Sequence, residues 1–100
     1  MLPEHRVSTH PGVMLKEEFL VPMGITQSAL ADALGVSHHV ISELVHGRRA
    51  LSARMCAMLA KALGTSVELW AGLQADHDLS VYLQSERGRA EVKAVKPLVA

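Results

Sequence analysis

Net charge is the first thing missing. The chain sets ten Lys and Arg against ten Asp and Glu, with six His besides. Proteins that hold nucleic acid through bulk electrostatics carry a basic excess, because neutralising phosphates releases counterions. That mode is excluded, so any contact with nucleic acid must come from a local patch, to which His can add charge in mild acid. Cysteine is nearly absent as well. Cys56 stands alone, which rules out an internal disulfide and a Cys-rich metal framework and suits a reducing compartment. Aromatic side chains are Phe19, Trp70 and Tyr82 only, too few for a stacking platform along single strands. No apolar run approaches the roughly 20 residues that cross a bilayer. Met1-Leu2-Pro3-Glu4-His5-Arg6 has no apolar signal core. A soluble cytoplasmic protein with no membrane partner is the expectation.

What is present is apolar, at 49% of 100 residues, and it is mostly Leu, Ala, Val and Met. That mixture packs helix on helix better than strand on strand, and the length suits one domain. Punctuation marks the helices. His10-Pro11-Gly12 opens the first, Met14, Leu15, Glu18 and Phe19 repeat at helical spacing, and Pro22 with Gly24 closes it. Thr26 caps a second over Gln27 to Leu34, and Gly35 follows where a left-handed residue is expected. Ser37 caps a third from His38 to about His46, ended by Gly47. Ser52 caps a fourth, Ala53 to Leu63, stopped by Gly64. Ser66 caps a fifth with Glu68 in its first turn, where negative charge suits the dipole. That helix either runs through Gly72 towards Tyr82 or breaks near Asp76. Pro97 argues against a final helical turn. The expected organisation is a flexible arm over 1–10, an all-α domain over 11–80, and a helical or flexible extension over 81–100.

The second and third helices form a helix-turn-helix from about Gln27 to His46. Two helices crossing steeply over a short turn need a small residue at the crossing, here Ala31. They also need a residue tolerant of positive φ in the turn, here Gly35. Leu30, Leu34, Val36, Ile41 and Leu44 supply the shared apolar seam. An ordinary helical hairpin shows similar apolar spacing but does not require Ala31, Gly35 and Val36 together. With Ile41 and Leu44 pointing inward, Ser37, His38, His39, Ser42 and Glu43 are left to face a DNA groove. Ser and His can bond base edges or phosphates, and Glu43 can accept from a cytosine amino group. Gln27 can reach a phosphate beside the backbone N–H groups of its helix. Arg48 and Arg49, with Arg54 a turn into the fourth helix, make the local basic patch.

Metal and enzyme chemistry fare worse. His38 and His39 are adjacent and diverge by roughly 100° on a helix. His39 and Glu43 are four apart, but two ligands do not make a zinc site. Cys56 beside Met55 and Met58 reads as a buried thiol, and no base or phosphate loop accompanies it. No catalytic residue, metal or cofactor is expected. Trp70 reads as a core anchor.

The chain resembles the Xre-type, lambda-repressor-like domains, and within them the HigA antitoxins of bacterial toxin–antitoxin modules. The resemblance covers about residues 10 to 80. His10-Pro11-Gly12 with Leu15 and Glu18 carries it, then Gly24-Ile25-Thr26-Gln27, Leu30-Ala31, Leu34-Gly35-Val36 and Ile41-Ser42. Gly47-Arg48-Arg49 and Leu51-Ser52 follow. Gly64-Thr65-Ser66-Val67-Glu68-Leu69-Trp70, with Leu73-Gln74 and Asp78-Leu79, narrows it to the HigA type. His77 departs from it, standing where relatives usually carry an aromatic. The resemblance implies a five-helix core, a homodimer, repression of its own operon through double-stranded operator DNA, and neutralisation of a HigB-type mRNA-cleaving toxin. A stand-alone Xre-type regulator without a toxin shares every DNA-facing feature. A protein-interaction module that has lost DNA binding is the remaining alternative, suggested by the zero net charge and by Glu43.

Overall fold

The computed structural model describes residues 8–99. Most of the expected arm, residues 1–7, lies outside the described residues. Among the described residues six helices follow one another and there is no strand. The first, α1, runs without a break through Pro11–Met14, Leu15–Leu20 and Val21–Met23. After it come α2 (Gln27–Leu34), α3 (His38–Val45), α4 (Ala53–Leu63), α5 (Val67–Gln84) and α6 (Glu86–Ala94).

Each start is fixed by a side-chain cap that satisfies a backbone donor left free at a helix end. The Thr26 hydroxyl accepts from the Ala29 N–H at 3.0 Å, Ser37 from Val40 at 3.3 Å, and Ser52 from Met55 at 3.2 Å. Ser66 accepts from Leu69 at 3.1 Å and Ser85 from Gly88 at 2.9 Å. At α1 the cap is His10, whose Nδ1 accepts from the Gly12 N–H at 2.9 Å, with Pro11 in the first helical position. An accepting Nδ1 is deprotonated, so neutral His10 carries its proton on Nε2.

Helix α1 closes at Gly24, at φ 67°, as the sequence suggests, and accommodates Pro22 in its last turn. What makes room for it is the π-helical middle. The Val21 N–H reaches back five residues to the Lys16 carbonyl, widening the turn just before the proline. A widened turn relieves the clash that a proline ring makes with the preceding turn.

The core joins all the helices up to α5. Leu15, Leu30, Ile41, Leu44, Leu59 and Trp70 are fully buried, and Ala31, at the α2–α3 crossing, is buried as completely. Trp70 is the anchor the sequence suggests. Its indole N–H donates to Thr65 Oγ1 at 2.7 Å, and its ring lies 5.0 Å from that of Phe19. Cys56 is buried, and burial pushes its thiol pKa up, leaving it protonated and unreactive.

Two alternatives that the sequence leaves open are decided downstream. Helix α5 continues through Gly72 and Asp76 to Gln84, and a further helix, α6, follows Ser85. The inward stripe of α5 is Trp70, Leu73, Gln74, His77 and Ser80, so its apolar periodicity stops after Leu73. Polar partners replace it. Gln74 Oε1 accepts from the Leu51 N–H at 2.7 Å, while its amide donates to Asp78 at 2.8 Å. Ser8 lies across the same stripe. Its N–H donates to Ser80 Oγ at 2.9 Å, and its carbonyl accepts from His77 Nδ1 at 2.8 Å. The His77 ring also meets that of His10 edge-on at 4.9 Å, so an imidazole fills the aromatic position. Gly88 sits inside α6, where a Cβ would collide with the Tyr82 carbonyl. Tyr82 Oη closes the corner by donating to Glu91 at 2.7 Å.

Candidate nucleic-acid interface

The α2–α3 turn is built by hydrogen bonds that the sequence makes possible. Gly35 adopts φ 69° and the Val36 N–H returns to the Ala31 carbonyl at 3.1 Å, the double closure that ends a helix on a left-handed residue. Ser37 then restarts the chain as α3. Ile41, Leu44 and Val45 are buried, with Leu34 and Val36 packed against them. A second support lies at the far end of α3. Gly12 abuts the Leu44 carbonyl so closely that any Cβ would collide with it. Helix α3 is therefore clamped between α2 and the start of α1, and its remaining face is open.

With Ile41 and Leu44 inward, the 3.6-residue period puts His39, Glu43 and His46 at the centre of the open face. His39 is exposed and its Nε2 lies 3.4 Å from Glu43 Oε2. Ser42 is half-buried on the flank, and its carbonyl accepts from His46 Nδ1 at 2.7 Å. His46 was missed as a face residue, though its spacing from His39 and Glu43 is the signal that finds it. His38 leans towards α2, with Nε2 3.2 Å from Asp32 Oδ1. Ser37 is exposed at the helix start; its oxygen is engaged by Val40, which leaves its hydroxyl proton to donate. Gln27 is half-buried in the first turn of α2.

The basic patch divides. Arg48 is exposed and makes no ion pair among the described residues, although its backbone N–H donates to the Glu43 carbonyl at 2.8 Å. Arg49 is paired with Glu43. Its Nη2 and Nε lie 2.6 and 3.1 Å from Glu43 Oε1. That hydrogen bond, with lesser help from His39, holds the Glu43 carboxyl below the usual carboxylate range. Arg54 is exposed in the first turn of α4. Among the described residues no group of three or more His, Cys, Asp or Glu is placed to hold a metal ion. No helix among them is long and apolar enough to cross a membrane.

The Helix-turn-helix family model matches residues 15–70 of the chain. Antitoxin HigA-1 of Vibrio cholerae serotype O1 is 45% identical over 87 residues, which is 87% of this chain and 80% of that protein. Among solved structures, the Pseudomonas aeruginosa antitoxin HigA with the higBA promoter superposes with a TM-score of 0.85 at 33% identity, covering 91% of this chain and 98% of that one. Antitoxin GraA in complex with its operator superposes with a TM-score of 0.87 at 36% identity over 100% of both chains.

Proposed function

The chain belongs to the helix-turn-helix family, in its branch of HigA-type antitoxins, and on that premise we propose that it is a cytoplasmic homodimeric repressor of its own operon that also neutralises a HigB-type mRNA-cleaving toxin. Its family is one of DNA-binding regulators and not of enzymes. The observation that carries the proposal is the presentation of α3: an open face of His39, Ser42, Glu43 and His46, held by an apolar seam and a glycine contact, in a fold solved elsewhere on promoter and operator DNA. Helix α3 enters the major groove. Ser37, His38, His39, Ser42 and Glu43 select bases, and Gln27 and Arg48 position the domain on phosphates. With no net charge, affinity for random DNA is low, so discrimination rests on few contacts.

Gel shifts with the DNA upstream of its own gene, against scrambled DNA of equal length, test the repressor half. Retardation of the upstream fragment alone supports it, and equal or absent retardation refutes it. Co-expression with the adjacent reading frame tests the antitoxin half. Growth arrest by the neighbour, relieved by this chain, supports neutralisation. If the neighbour is harmless and operator binding persists, the protein is a stand-alone regulator.

A further inference from the structure

Past α3, the left-handed Gly47 at φ 72° turns the chain back along the helix it has just left. This return places the Arg49 guanidinium against Glu43, six residues earlier. The two donors do not share the carboxylate evenly. Both Nη2, at 2.6 Å, and Nε, at 3.1 Å, converge on Oε1. Two donors fill the acceptor capacity of that oxygen. Oε2 has only the 3.4 Å approach of His39 Nε2, too long for a strong bond. The Glu43 side chain is 29% exposed at the centre of the open face, and that of Arg49 is 45% exposed beside it.

A loose carboxylate on a surface facing phosphates is repelled. A carboxylate paired to a guanidinium is locally neutral, and two rigidly spaced donors on Oε1 restrain where that oxygen sits. The oxygen left over, Oε2, keeps acceptor capacity on a side chain that is partly exposed on the open face. In the major groove, the exocyclic amino group that Asp and Glu accept from is that of cytosine.

Resting on the operator-binding reading above, we propose that Arg49 is a positioning residue rather than a phosphate anchor: it holds Glu43 so that Oε2 accepts from a cytosine amino group, making Glu43 the determinant of one C·G pair in each half-site. The basic patch then supplies one phosphate cation after α3, Arg48, and not two.

Titrations of the full chain on its upstream operator, on single-base-pair variants of that operator and over a range of salt test this. Arg49→Ala and Glu43→Ala should each weaken operator binding by about tenfold and flatten the preference for the same C·G pair. The double variant should be no weaker than either single one. Arg49→Lys keeps the charge but loses the paired geometry, so it should behave like Arg49→Ala. The salt dependence should stay as in the wild type for all of these, while Arg48→Ala should lower its slope by about one. The proposal is overturned if Arg49→Ala reduces the salt slope, if Arg49→Lys binds like wild type, or if the base preference survives in Glu43→Ala. Failure of the wild-type chain to prefer its operator at all overturns the operator-binding reading itself, and is visible before any variant is compared. Far-ultraviolet circular dichroism of each variant confirms that it is folded.

Discussion

The α2–α3 pair and the second half of α5 both bury one face against the rest of the domain, but they do so with different chemistry. The α2–α3 pair buries Leu30, Ala31, Ile41 and Leu44, groups that need only be out of water. The second half of α5 buries Gln74 and Ser80 and half-buries His77, each of which needs a named partner. The first surface tolerates small shifts, because apolar contact has no direction. The second fixes the register of whatever crosses it, because a hydrogen bond does. Leu51, after α3, and Ser8, before α1, are both held there by their backbone groups. The apolar pair positions α3, and the polar stripe pins the segments that frame it.

Substitutions can separate the two modes. Leu44→Ala, on the apolar side, should cost about 3 kcal/mol in urea unfolding, the range for a fully buried leucine. A loss under about 1 kcal/mol would mean that the seam is loosely packed. Gln74→Ala, on the polar side, should cost about 2 kcal/mol, because it strands the buried Leu51 N–H. Gln74→Met, which keeps the volume but can neither accept nor donate, should lose about as much, which a purely volume-filling glutamine would not predict. Gly72→Ala should raise stability by about 0.5–1 kcal/mol, since nothing lies near a Cβ there and α5 is continuous through it. Destabilisation would place a break in α5.

The smallest expected effect is one of slope. Burial, and then the neighbouring His77 ring, hold His10 below its ordinary pKa; Asp78 and the Arg49 backbone oppose them. The unfolded chain therefore binds the His10 proton more readily than the folded one. The stabilisation is complete above the unfolded value of about 6.5 and is lost as pH falls through the folded value. Thermal midpoints should fall less steeply between about pH 7 and pH 5 for His10→Asn, which can still cap α1 without titrating. Identical pH slopes would show that His10 does not carry the effect.

The same contrast explains what the sequence makes legible. Caps and glycines are local signals, so the limits of α2, α3 and α4 agree with Thr26, Gly35, Ser37, Ser52 and Gly64. Apolar periodicity finds the seam and Trp70. It cannot follow α5 past Leu73, because Gln74, His77 and Ser80 are held by polar partners more distant in the chain. Pro22 and Gly24 mark the end of α1, but the π-helical turn before them has no sequence mark. The sequence leaves residues 81–100 open between helix and flexible chain, because the contact of Gly88 with the Tyr82 carbonyl that seats α6 has no periodicity. At the interface, the open face of α3 follows from helical spacing. The division between Arg48 and Arg49 does not, since it depends on how Gly47 returns the chain to Glu43.

On the proposed function, α3, clamped by the apolar seam and by Gly12, reads operator DNA as one half of a two-fold dimer. Hydroxyl-radical footprinting on the DNA upstream of its own gene tests it most directly. Two protected half-sites on one face of the duplex, about 34 Å or a multiple of that apart, are the predicted result. A single protected patch with no two-fold partner, or no protection at all, would contradict it.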